Sequence, residues 1–169
     1  MALYLIHNGP MPTTAAVAAV TTGTAIKTLL QVKAGATIVA KIVEWGISFD
    51  GFAAAAPIKV ELIETDVAAT VTASVANDIH KLDAAALSGG DPTTALIAVG
   101  TTSTGYTASG EGSITAVRVF DVQFIAPTNQ YVKQFPLGRE PVIQISKFAR
   151  IRVTAGAAVN AYCYMIVEV

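Results

Sequence analysis

Apolar and polar residues alternate along most of this chain. In Pro57-Ile58-Lys59-Val60-Glu61-Leu62-Ile63-Glu64, the side chains of Ile58, Val60 and Leu62 fall on one face, and Lys59, Glu61 and Glu64 fall at or beside the other. That two-residue period predicts a half-buried strand. It recurs at 37–49, where Val39, Val43, Trp45, Ile47 and Phe49 share a face and Lys41 breaks the pattern. It recurs again at 114–125, where Ile114, Ala116, Phe120, Val122 and Phe124 read as inward and Arg118 falls on the same face, in need of a partner or an exposed end. Shorter stretches at 2–6, 24–32, 69–74, 94–99, 131–135, 142–145, 150–154 and 159–167 read as further strands. Ala34-Gly35 and Asp50-Gly51 supply turn signals between them. Residues 77–87 fit a short helix, capped by Asn77 or Asp78, with Ile79, Leu82 and Ala86 on one face and Ser88-Gly89-Gly90-Asp91-Pro92 ending it. Residues 100–113, rich in Gly, Ser and Thr, read as a loop carrying Tyr106.

Many short strands punctuated by turns predict an all-β fold, an antiparallel β-sandwich or a barrel. The two β-rich halves of the chain are expected to pack as opposing sheets. Residues 8–20 read as an extended arm of small residues. The predicted organisation is an N-terminal arm and first short strand over 1–23, then a single domain over 24–169.

Composition adds one inference. The chain is 53% hydrophobic but only 14% charged, against about 25% charged residues in an ordinary soluble domain. A free β-protein uses charge to stay soluble and to blunt its sheet edges. The shortage predicts a surface partly covered by other subunits. The net charge of −1 gives no electrostatic footprint for nucleic acid. The first 26 residues lack Lys, Arg, Asp and Glu, but Gly9, Pro10, Pro12 and Gly23 interrupt them. There is no basic flank and no continuous apolar block, so neither a signal peptide nor a membrane span is expected. Cys163, the single cysteine, excludes an internal disulfide and reads as a buried, inert thiol compatible with reducing synthesis.

Candidate chemistry is thin. Only His7 and His80 are available as imidazole bases, and no serine-centred nucleophile elbow accompanies them. Asp78-x-His80-x-x-Asp83 contains metal-binding side chains, but at a spacing that suits a polar surface turn better than converging ligands. Asp50, Glu61, Glu64, Asp66 and Glu111 offer carboxylates for glycoside cleavage only if two converge across a cleft. Gly105, Gly110 and Gly112 precede a strand rather than a helix, unlike a common phosphate cradle. Lys133, Arg139, Lys147, Arg150 and Arg152 form a basic C-terminal cluster, in which Arg150 and Arg152 share a strand face. That face suits either solvent or a salt-bridged subunit contact, where the planar guanidinium pairs well with carboxylates. No catalytic residue, metal or cofactor is expected.

Certain motifs resemble a family. Val43-Glu44-Trp45-Gly46-Ile47-Ser48-Phe49-Asp50-Gly51 followed by Pro57-Ile58-Lys59-Val60-Glu61-Leu62 is similar to stretches of small β-rich virion proteins of tailed bacteriophages. Gln134-Phe135-Pro136-Leu137-Gly138-Arg139-Glu140-Pro141, Arg150-Ile151-Arg152-Val153-Thr154-Ala155 and Val159-Asn160-Ala161-Tyr162 resemble the same set. The likeness covers residues 24–169, and the Trp-Gly-Ile-Ser-Phe-Asp-Gly and Phe-Pro-Leu-Gly-Arg-Glu stretches are its most specific parts.

The resemblance implies a capsid decoration, or cement, protein with a jelly-roll-like sandwich. It implies a homo-oligomer, a trimer by preference, on the outer capsid surface, made in the host cytoplasm. Its partner would be the major capsid protein, with no nucleic acid or membrane involved. Interface candidates are Met11, Val17 and Val20 in the arm, together with Arg139, Arg150 and Arg152. The competing expectation is a tail or baseplate component that binds a receptor glycan, with Tyr106 stacking on sugar. A carbohydrate-active enzyme is a third reading, opposed by the scarcity of plausible acid/base pairs.

Overall fold

The computed structural model describes residues 2–51, 56–82 and 96–169. In chain order the strands are β1 (Leu3–His7), β2 (Val20–Thr21), β3 (Ile26–Ala34), β4 (Ala40–Phe49), β5 (Ile58–Thr65), β6 (Thr70–Ala73) and β7 (Ile79–Lys81). Then come β8 (Ile97–Ala98), β9 (Gly105–Gly110), β10 (Val117–Ile125), β11 (Gln130–Gln134), β12 (Val142–Ile143), β13 (Phe148–Thr154) and β14 (Asn160–Glu168). They form two antiparallel sheets. The front sheet runs β11-β4-β14-β1-β7, with β12 also on β4 and β2 on β14. The back sheet runs β10-β5-β13-β3-β9-β6, with β8 on β3. The fold is therefore an all-β sandwich, as the alternation predicts. A jelly roll has eight strands in all, whereas seven lie in each sheet here, so that finer description does not follow from this strand order.

The halves of the chain do not form one sheet each. β14 sits between β4 and β1 in front, and β13 sits between β5 and β3 behind. The C-terminal strands thus fill the centre of both sheets. Backbone pairing must be completed wherever strands are buried, and local alternation carries no information about which distant strand completes it.

The core lies between the sheets. Tyr4, Ile6, Ile42, Trp45, Ile47, Cys163, Met165 and Val167 face it from the front, and Leu30, Val32, Ile58, Val60, Leu62, Ile151 and Val153 from behind. The buried Cys163 matches expectation; burial pushes its thiol pKa far up, which leaves it inert.

In β4 the expected face needs correction. Val39 is exposed and Val43 only partly buried, while Ala40 and Ile42 are fully buried. The pairing with β14 steps from Glu44–Ile166 to Ile42–Val167, leaving Val43 as the extra residue of a bulge. Lys41 consequently points outward and pairs with Glu168 at 3.5 Å.

Two other expectations fail locally. The helix at 77–87 is a 3-10 turn (Ala76–Asp78) running straight into β7, because Ile79 is taken up opposite Ile6 in the front sheet; its continuation beyond residue 82 lies outside the described residues, as do 94 and 95 of the stretch at 94–99. The loop at 100–113 contains β9, which pairs with both β3 and β6. Gly105 permits this: a Cβ there would collide with Thr72 O and the Val71 side chain.

The arm leaves the front sheet after β1 and rejoins it at β2. Asn8 Nδ2 donates to Ala161 O at 3.0 Å, and Val20 pairs with the same Ala161. The exposed stretch between them is thus tied at both ends, which is the form of an Ω-loop. Among the described residues no helix is long and apolar enough to cross a membrane.

Candidate interaction surface

The largest departure from the expected pattern lies on β10. Its alternation keeps the expected phase through the inward Arg118 and the partly buried Phe120, which packs against the core, and inverts beyond the bulge, where Val122 and Phe124 turn outward. Opposite β5, Val117, Val119, Val122 and Phe124 match Thr65, Ile63, Glu61 and Lys59, while Arg118, Asp121, Gln123 and Ile125 match Glu64, Leu62, Val60 and Ile58. Ile58, Val60 and Leu62 face the core, so the first set of β10 residues faces outward. Exposure agrees: Val117 is 47%, Val119 58%, Val122 38% and Phe124 72% exposed, whereas Ile125 and Asp121 are buried. A bulge between Val119 and Asp121 holds Phe120 out of register and keeps Val117 and Val119 on the same outer face as Val122 and Phe124. Residues 114 and 116, expected in this strand, precede it.

The inward polar residues of β10 find partners. Arg118 pairs with Glu64 at 2.6 Å and donates to Val142 O at 2.6 Å. Asp121 pairs with Lys133 at 3.2 Å and accepts from Gln123 at 2.8 Å and from the Tyr131 hydroxyl at 3.1 Å. Burial opposes ionisation of Asp121, but these donors outweigh it and hold its carboxyl below the usual range. Arg118 and Asp121 are the charged residues of β10, so none stands on its outer face. The outer face of β10 is thus an uninterrupted apolar stripe, a feature of the kind that marks an interaction surface when it is large and contiguous.

Beside this edge stands the turn joining β11 to β12. Arg139 N donates to Pro136 O, Gly138 adopts a positive φ of 82°, and Gly138 N donates to the Glu140 carboxylate. The turn holds Leu137 97% exposed, next to an exposed Arg139. Hydrophobic pattern alone does not single out Leu137, because a lone leucine between two prolines carries no period.

The remaining interface candidates divide. Met11 is partly buried and its backbone N–H donates to Asp78 Oδ1 at 2.7 Å; Val17 is exposed; Val20 is partly buried in its pairing with β14. Arg150 and Arg152 do share one face, but both guanidiniums are engaged within the chain. Arg150 is fully buried, donates to Val67 O and Glu111 O, and meets the Glu111 carboxylate at 3.3 Å. It therefore presents no surface to a subunit contact. Gly112, at φ +72°, lets this cover form, since a Cβ there would meet Ala68 O at 2.6 Å. Arg152 pairs with Glu61 at 3.0 Å.

The carboxylates considered for catalysis are held by structural partners. Glu111 accepts from Thr28 N and Oγ1, both at 2.6 Å. Asp50 accepts from Asn160 N at 3.2 Å. Glu64 and Asp66 line one open groove of about 280 Å³ with Arg118 and Lys147. Within it Glu64 also accepts from Gln144 N at 2.8 Å. The hydroxyl of Thr115, followed by the N–H of Ala116, holds the Asp66 pKa down to about 2. Burial opposes ionisation of Glu61, but Lys59 and Arg152 hold it low as well. These directions are opposite to the raised value a general acid needs.

Asp78 and His80 do not converge on a metal. The Asp78 carboxylate accepts from Met11 N and Val75 N, while the His80 ring stacks on His7 with centroids 5.5 Å apart; Asp83 lies outside the described residues. Among the described residues no cluster of three or more His, Cys, Asp or Glu is placed to hold a metal ion. Tyr106 sits in β9 opposite Leu30 and Thr72 rather than on a loop. No protein family, curated protein or solved structure matches the chain.

Proposed function

We infer that this protein is a tailed-bacteriophage virion component, a non-enzymatic capsid decoration protein that binds the outer face of the major capsid shell and bridges its subunits. The reading rests on the motifs named above and on where the fold puts them. Trp45, Ile47 and Phe49 of the Trp-Gly-Ile-Ser-Phe-Asp-Gly stretch are core residues, so that likeness bears on the fold. The Phe-Pro-Leu-Gly-Arg-Glu stretch instead forms the turn that presents Leu137 and Arg139 to solvent. That turn is the observation that carries the proposal: its exposed residues contribute nothing visible to packing and suit docking. Burying Leu137 on a partner would contribute about 1.5–3 kcal/mol before association costs. The tied arm, with Val17 outward, supplies a second contact.

The test is co-sedimentation with capsids lacking the protein, followed by imaging of the occupied particles. Saturable binding at defined lattice positions, weakened by Leu137→Asp and by shortening the 12–18 stretch, is expected. Absence from capsids, with the protein found instead at the tail of intact virions, would replace this reading with the glycan-binding one.

A further inference from the structure

β10 ends the back sheet, and its far edge has no backbone partner among the described residues. A nine-residue edge strand is normally blunted by charges, a proline, a bulge or a covering segment. β10 has no proline or covering strand among the described residues; it carries one bulge, and its charges are paired across the sandwich edge, the half-exposed Arg118 with Glu64 and Asp121 with Lys133. What remains is an open ladder beside the stripe of Val117, Val119, Val122 and Phe124.

The spacing of that stripe says what would cover it. Its residues stand at intervals of two, three and two, a pattern that reads the same in both directions. An antiparallel copy related by a two-fold axis between residues 120 and 121 sets Val117 opposite Phe124 and Val119 opposite Val122. Arg118 then lies opposite Gln123 on the inner side. In an unbulged strand this odd register would set outward residues against inward ones. The extra residue Phe120 shifts the pleat by one, so outer residues meet outer residues on both sides of the axis. An isologous contact requires such a self-complementary patch.

We propose that β10 pairs edge to edge with β10 of a second copy of this chain, joining two back sheets into one continuous sheet. Main-chain hydrogen bonds supply the attraction, as in strand addition generally, and the facing valines and phenylalanines set the register. A contact made by one edge strand is smaller than the roughly 800 Å² per partner of a standard interface, so the dimer forms as concentration rises rather than being permanent. The inference is independent of the capsid reading, since it needs no capsid.

The experiment is sedimentation velocity on the full-length chain over a wide concentration range, with disulfide trapping of cysteine variants. The expected result is a monomer–dimer equilibrium, abolished by Val119→Lys with thermal melting unchanged. The double variant Val119→Cys/Val122→Cys should trap a covalent dimer on oxidation, because residues 119 and 122 face each other across the axis. Val117→Cys/Val119→Cys should not, because neither cysteine then faces another. The free thiol of Cys163 is buried and does not compete. A monomer at every concentration would overturn the proposal. So would a dimer that survives Val119→Lys, or trapping that is equal in the two double variants.

Discussion

Strands β4 and β10 are built from similar sequence and end in opposite environments. Each carries apolar residues at a two-residue period interrupted once by a bulge. In β4 the inward set is Ala40, Ile42, Trp45, Ile47 and Phe49, with Val43 as the extra residue. In β10 the comparable set is Val117, Val119, Val122 and Phe124, with Phe120 as the extra residue, and it faces out. The difference is position. β4 has β14 on one side and β11 and β12 on the other, under the opposite sheet. β10 has β5 on one side only. A bulge preserves a face across an irregularity; it does not decide whether that face is covered.

The comparison can be broken hardest at Trp45. It is fully buried and packs on Tyr131 at a ring separation of 5.3 Å. Trp45→Ala should cost about 3–5 kcal/mol, read as a lower denaturant midpoint. If β4 tolerated that change as β10 should tolerate its own, the contrast would be lost.

A second break shows that an outer face is not always a wet one. Arg150 stands on the same outer face of the back sheet as Val119, two strands away, yet is fully buried beneath Glu111. Glu111→Ala leaves that guanidinium without its carboxylate and Thr28 without its acceptor. The expected loss is about 3 kcal/mol, measured by chemical denaturation, and Glu111→Gln should recover part of it.

The third prediction concerns pH. His7 is almost wholly buried, and neither nitrogen of its ring makes a hydrogen bond among the described residues. It faces His80, Tyr162 and the nearby Asp78. Burial lowers its pKa, His80 lowers it further, and Asp78 partly opposes them. The unfolded chain therefore takes up this proton near pH 6.5, while the folded chain resists until lower pH. The stabilising contribution of neutral His7 is complete above about 6.5 and falls away as pH drops through the folded value. Thermal melts at descending pH should show the loss, and His7→Phe should flatten it in that window. An equally steep fall in the variant would assign the effect elsewhere.

The smallest expected effect sharpens the contrast most. Phe124→Ser and Val122→Thr should each change monomer stability by no more than about 0.5 kcal/mol, measured at a concentration where the chain is monomeric. A loss approaching that of Trp45→Ala would mean the stripe is packed within the monomer.

Several features are legible in the residues alone. The alternation at 57–64 and 159–167 reads directly as strands β5 and β14, and the absence of longer helical periods reads as an all-β sandwich. Cys163 is buried, as its apolar neighbours imply. Arg139 on an exposed turn is also within reach, because Pro136, Gly138 and Pro141 punctuate the segment. Arg150 is not. Nothing local distinguishes an arginine that faces solvent from one roofed by a segment 39 residues earlier in the chain. The arm illustrates the same limit: its small exposed residues are evident, but its attachment at both ends depends on Ala161, far along the chain.

Sequence by itself determined the two-residue period and the strand-rich character of the chain, because these depend on neighbours a few residues apart. Only the tertiary structure decided which face is inward, which strand is an edge and which arginine is buried. Those properties depend on strands distant in sequence that meet only in the folded sheets, and a single bulge between them resets the phase that alternation alone would extrapolate.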